Sequence, residues 1–242
     1  MAILGLHCGL DTMVDDAKDK FIAPKISRLA APTAPDISAD RKHLLSAFIM
    51  NFDLSLVLSN KHRQLIFNVI RKADDAFDEY CRAADSLRDY VTAPKLTPFH
   101  YFSAMRHFEH CLAHLYQAVC CMNALTVTWG GQKQFDRGDG SILERVHMIH
   151  TEIKHMDEQF KGGNLRDETS FALFARKSDG TKSIAADDAA GIANVPMWLT
   201  DDGLECAKGT ITYGELAQEI RELCREAEKL ANIRPEKKKA TV

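Results

Sequence analysis

The chain has 242 residues, 45% of them hydrophobic and 27% charged, with a formal net charge of −3. That length and apolar content suffice for a substantial core in a chain that folds alone. The near-balanced charge excludes a protein built as a whole to coat nucleic acid or an anionic membrane. The seven cysteines, Cys8, Cys81, Cys111, Cys120, Cys121, Cys206 and Cys224, are odd in number, lack metal-ligand spacing and fall mostly on apolar stripes. They read as buried free thiols in a reducing compartment. The opening run MAILGLHCGL carries no cation before its apolar residues and is followed by Asp11, Asp15 and Asp16, unlike a secretory signal. The longest apolar stretch, 44–58, is interrupted by Asn51 and Asp53 and is shorter than the roughly 18 residues of a membrane span. A cytoplasmic location without a membrane partner is the expectation.

In chain order, residues 1–37 are poorly patterned, with Pro24, Pro32 and Pro35, and read as an arm or linker around one short helix. A helical bundle domain is expected over 38–232. From Ser38 to Phe52, Leu44, Leu45, Phe48, Ile49 and Phe52 keep helical spacing, and Ser59-Asn60 breaks or kinks the path. Over 61–91, Leu65, Ile66, Val69, Ile70, Ala73, Phe77, Tyr80, Ala84, Leu87 and Val91 recur every three or four residues, with Asp74, Asp75, Asp78, Arg82 and Asp89 on the other side. Ala93-Pro94 ends this helix, and Thr97-Pro98 starts another that should run to about Leu125.

A further helix opens at SILE, where Ser141 and Glu144 can cap each other's amides, and its stripe ends at Gly162-Gly163. Residues 164–210 lack helical periodicity and read as an irregular or β-containing insertion with two short strands, FALFA and VPMWL. Thr212 and Glu215 repeat the capping pattern before Leu216, Ile220, Leu223, Ala227 and Leu230, and a basic tail follows at 233–242. The fold class is therefore mainly α, a bundle of four to five long helices with a small insertion at about 164–210.

Histidine clustering is the main functional lead. His100, His107, His110 and His114 span an arc of roughly 80° at the border of the core stripe on one helix, at about 100° per residue. His107, His110 and His114 are candidate metal ligands, since imidazoles one turn apart can share an ion, although zinc needs three or four ligands in all. The competing reading is a seam of histidines hydrogen-bonded to neighbouring helices, so neither metal nor cofactor is assigned. Glu144 with His147, and Glu152 with His155, match the Glu-x-x-His spacing of di-iron bundles, but lie on one helix, and the other helices offer only Glu79 and Glu109. His147, His150, Lys154 and His155 make a polar, cationic flank suited to an anion. Trp198 in VPMWLT reads as an anchor for the insertion or as a ligand-stacking ring.

In ERVHMIH, Arg145 is followed after four residues by His150. This resembles the arginine–histidine motif of the HEPN superfamily, named for nucleotide-binding proteins of higher eukaryotes and prokaryotes. The resemblance implies an all-helical bundle and a metal-independent endoribonuclease of a toxin or phage-defence type, assembled from two protomers. By that resemblance His150 acts as general acid or base and Arg145 stabilises charge on phosphate. Two features depart from the pattern: Val146 stands where that family is often polar, and Arg145 and His150 point about 140° apart on a straight helix.

Two readings therefore stand side by side. One is a bacterial-type cytoplasmic helical interaction or ligand-binding protein without catalysis. The other is the ribonuclease, with RNA and a second copy of the chain as partners.

Overall fold

The computed structural model describes residue 29 and residues 31–50, 59–93, 98–154, 198–206 and 209–232. Among these residues a 3-10 turn at Ser38–Asp40 precedes five α-helices: α1 (Leu44–Met50), α2 (Asn60–Thr92), α3 (Pro98–Thr128), α4 (Ile142–Lys154) and α5 (Tyr213–Ala231). Between α4 and α5 lie three short strands, β1 (Trp198–Leu199), β2 (Gly203–Cys206) and β3 (Gly209–Thr212). The fold is mainly α with a small β element, as its periodicity predicts.

Helix α2 follows its sequence pattern closely. Ser59 caps it, and Ile66, Val69, Ile70, Ala73, Phe77, Tyr80, Ala84 and Leu87 are buried along one stripe. Its most extensive partner is α3, and small residues at the contact, Ala76, Ala83, Ala104 and Ala118, are all fully buried. With no bulk beyond Cβ, they let the two backbones approach closely. The polar side of α2 is not simply a solvated face. Asp74 accepts hydrogen bonds from the amides of Leu44 and Leu45 at 3.2 and 2.8 Å, so it caps α1 from another helix. Asp78 pairs with Arg41, whose guanidinium also lies over the Phe77 ring.

The single helix expected over 38–52 is accordingly shorter. Arg41 is extended and His43 has a φ of 46°, so the helix begins only at Leu44. Leu44 and Phe48 are buried, but Ile49 is 61% exposed and is not a core residue.

Helix α3 is the centre of the bundle, touching α2, α4 and α5. By length and composition, Phe99–Thr128 is apolar enough to cross a membrane, unlike the 44–58 stretch singled out above. In this fold Tyr101, Phe108, Leu112, Leu115, Val119 and Leu125 are instead buried against neighbouring elements.

The capping box of α5 is complete: the Thr212 hydroxyl accepts from the Glu215 amide at 3.1 Å, and the Glu215 carboxylate accepts from the Thr212 amide at 2.9 Å. At α4 the box is stretched. Ser141 Oγ accepts from the Glu144 amide at 3.1 Å, but the Glu144 carboxylate reaches past Ser141 to the amides of Gly140, at 2.7 Å, and Gly138. These two glycines have φ of 70° and 86°, where a side chain is strained.

The strands are ordered β1-β2-β3, all antiparallel, with Leu199 opposite Leu204 and Leu204 opposite Ile211. VPMWL thus contributes one strand as expected, while GLEC and GTIT, read above as irregular, make the other two. FALFA lies outside the described residues. Gly203 is needed for a close approach, since an added Cβ would fall 2.1 Å from the Ile211 carbonyl oxygen.

Aromatic side chains fasten this sheet to the bundle. Tyr80 packs edge-on to Phe108, which stacks on Tyr213 at 5.2 Å. The Tyr213 hydroxyl donates to the Thr200 carbonyl at 2.8 Å, and the Tyr101 hydroxyl accepts from the Leu199 amide at 3.4 Å. Burying each such ring contributes about 1.5–3 kcal/mol. The described part of the 1–37 arm is built into the same end: Leu29 and Ile37 are buried, and the Thr33 amide donates to the Asp201 carbonyl at 2.8 Å.

Candidate functional site

Two different histidine clusters lie beside α3, one carried by α4 and one by α3 itself. On the first flank, α4 presents His147, His150, Thr151 and Lys154, which recur at helical spacing and so share one side. Both imidazoles rest on Tyr116 of α3, His147 stacked at 4.9 Å between centroids and His150 tilted at 5.0 Å. With Arg137 from the 129–141 loop, these residues line a groove of about 370 Å³. Phe135 lies against His147 at 6.2 Å, and Asn123 accepts from the Gln134 amide at 2.7 Å, so the loop that carries Arg137 is fastened at several points.

The electrostatics of this groove are one-sided. The one carboxylate among its described lining residues, Glu144, has both oxygens engaged by the amides of Gly138 and Gly140. Burial lowers the pKa of His147, and the charge of Arg137 lowers it further, opposed by Glu144. Burial likewise lowers that of His150, followed by Lys154 and His147. Four groups that carry or can take up a proton thus stand together, and an anion between them would relieve their mutual repulsion.

Arg145 points elsewhere. Its guanidinium holds the two oxygens of Glu215 on α5 in a fork, Nη2 to Oε1 at 2.8 Å and Nη1 to Oε2 at 3.3 Å, and Nη1 also donates to the Thr210 carbonyl at 2.9 Å. The hydrogen bond from Arg145 is the main reason the Glu215 carboxyl is held below its ordinary pKa. The larger groove that Arg145 lines, about 930 Å³, is a face of paired charges: Arg225 lies 3.3 Å from Glu222, and Lys229 lies 2.5 Å from Glu226. Within one chain Arg145 and His150 therefore open into separate grooves, and the cation beside His150 is Arg137.

On the second flank, α3 faces the carboxylates of α2. His107 Nδ1 lies 2.6 Å from Glu79 Oε2, and His110 Nδ1 lies 3.7 Å from the same oxygen. His114 is turned to Lys72, with Nδ1 at 2.9 Å from Nζ, and stands 3.9 Å from Asp75. Of the three histidines proposed as ligands, two converge, and their companion is Glu79 rather than His114. His100 sits near the start of α3 with its ring against Phe99.

His155 and the side chain of Trp198 lie outside the described residues. Sequence reasoning missed Tyr116 and Arg137: Tyr116 shares no motif, and Arg137 lies in a loop without periodicity. The pair of glycines around Asp139 was the available signal that this loop is shaped by its backbone. The described cysteines are all free, and Cys111 and Cys224 are buried as expected, but Cys120 is exposed and Cys81 and Cys121 are half-buried. Burial pushes the thiol of Cys224 up to about 12 and that of Cys81 to about 11, so both are held as inert thiols. No protein-family model, curated protein or solved structure matches the chain.

Proposed function

We propose that the protein is a cytoplasmic, bacterial-type helical ligand-binding protein without catalysis, and that its ligand presents a phosphate-type anion to the groove between α3 and α4. The observation that carries this reading is the convergence of Arg137, His147, His150 and Lys154 beside Tyr116, with Glu144 committed to backbone amides. Protonated imidazoles, a lysine and an arginine supply charge-assisted donors, and the Tyr116 ring fixes the imidazoles in place.

Calorimetric titration with inorganic pyrophosphate tests the reading. Binding is expected, and His150→Ala and Lys154→Ala should each weaken it by about tenfold, or about 1.4 kcal/mol. Equal heats from the wild type and a variant combining His150→Ala with Lys154→Ala would remove the anion site. The ribonuclease implied by the HEPN resemblance remains the second reading, because a cation does stand beside His150. With Arg145 held by Glu215, it requires either a homodimer that brings a second Arg145 to this groove or Arg137 in the same role. Cleavage of structured RNA in chelator that is lost in His150→Ala would replace the binding reading with the enzyme.

A further inference from the structure

We propose that Glu79, His107 and His110 form a binding site for a divalent first-row transition ion of the zinc type, held between α2 and α3. The site is independent of the anion groove and uses none of its residues.

The geometry begins with one oxygen. Glu79 Oε2 is 2.6 Å from His107 Nδ1 and 3.7 Å from His110 Nδ1, and one ligand atom from each of the three residues lies within 4.8 Å of the other two. Around a tetrahedral zinc with bonds of about 2.0–2.1 Å, neighbouring ligand atoms stand about 3.3 Å apart. The observed separations straddle that value, so small side-chain rotations bring the three donors onto one ion. The contact to His110 is too long to be a hydrogen bond, whereas an ion between the two groups would bridge it.

The donor set has the right chemistry. Two neutral imidazoles and one carboxylate suit zinc and its first-row neighbours, and three protein ligands leave a position open to water or a ligand. His110 keeps that position accessible, being 56% exposed, while Glu79 and His107 are largely buried.

The surroundings orient the ligands. Glu79 divides its oxygens: Oε1 accepts from Arg82 at 3.0 Å, leaving Oε2 toward the imidazoles. A carboxylate fixed in this way by an outer partner is a common support of metal ligands. All three ligands stand on helices, and α2 and α3 are locked together nearby by the Ser86–Ser103 hydroxyl contact at 3.1 Å and the packing of Tyr80 on Phe108. One turn further along, Lys72 lies 3.8 Å from Asp75 and 2.9 Å from His114, so that trio meets its own charges and leaves Glu79 as the centre.

The test uses full-length protein stripped with chelator, then titrated with Zn(II) against a chromophoric chelator and with Co(II) by visible absorption. One equivalent is expected, with Co(II) bands of low coordination number. His110→Ala, at an exposed position that leaves the fold intact, should weaken binding by about tenfold or more, and His107→Ala combined with it should abolish stoichiometric binding. His114→Ala should leave the affinity within about twofold. Wild-type affinity no tighter than millimolar, or His110→Ala binding as the wild type does, would overturn the proposal. Circular dichroism of each variant confirms that loss of binding is not loss of fold.

Discussion

The two histidine clusters beside α3, one on α3 itself and one on α4, are built from the same residue type and differ in their company. The imidazoles of α3 meet Glu79 and Asp75 of α2, with Lys72 beside His114; those of α4 meet Arg137, Lys154 and each other. An imidazole next to a carboxylate is a ligand or a hydrogen-bond partner, ready to share a cation. An imidazole next to cations, with burial also lowering its pKa, is held neutral until an anion arrives. The charged neighbours, more than the histidine, decide which kind of ligand each cluster can take.

Charge reversal should separate the flanks most widely. Arg137→Glu with Lys154→Glu is expected to weaken pyrophosphate binding by about a hundredfold, two steps of about 1.4 kcal/mol each, in calorimetry. The same variant should bind zinc as the wild type does. If both affinities fall together, the flanks are one coupled site.

A smaller effect sharpens the contrast in stability. His107→Ala removes a short hydrogen bond to a largely buried carboxylate and should lower the free energy of unfolding in urea by about 1–3 kcal/mol in metal-free buffer. His147→Ala, which removes a ring stacked on Tyr116 but leaves no buried carboxylate without its partner, should cost less. Equal costs would mean that charge does not distinguish the flanks.

Acidification gives a third handle. The folded pKa values of His147 and His150 are lowered, so the unfolded chain takes up these protons first. Stability is therefore unaffected by them above the ordinary value of about 6.5, declines as pH falls through the window below it, and levels off beneath the folded values. Among the described residues, the titratable and charged groups facing these imidazoles are Tyr116 from α3, Arg137 from the loop, and Glu144 and Lys154 from α4. Pyrophosphate should raise both histidine titration midpoints by proton NMR and should bind more tightly at pH 6 than at pH 8. Midpoints that do not move would place the anion elsewhere.

The smallest expected change is at Arg145. Arg145→Ala breaks a partly exposed ion pair with Glu215, which is worth about 1 kcal/mol or less, and should leave pyrophosphate binding within about twofold. A large loss of binding would instead bring Arg145 into the α4 groove through a second chain.

The helices were legible because periodicity and caps are local. The stripe of α2, the Thr212–Glu215 box and the Ser141 cap could all be read from residues within a few positions of one another. The arc of His107, His110 and His114 was also correct as a statement about one helix. What it lacked was the identity of the opposing helix: His107 and Glu79 are 28 residues apart, and no spacing rule connects them. The di-iron comparison had marked Glu79, but for a different partner. Strands β2 and β3 were missed because four-residue strands around Gly203 and Gly209 offer too short an alternation to stand out. Arg137 owes its place to two positive-φ glycines and a carboxylate that reaches back from α4.

The fastening of residues 31–33 to the β1–β2 turn carries a kinetic consequence. The Thr33 hydroxyl also donates to the Asp201 carbonyl, across 168 residues, whereas α2 and α3 are consecutive helices. As the nascent polypeptide leaves the ribosome, the α2–α3 hairpin has everything it requires long before Asp201 is translated. The order of assembly follows: a fast local hairpin forms first and the latch closes last, because distant pairings bear the greater loop-closure entropy.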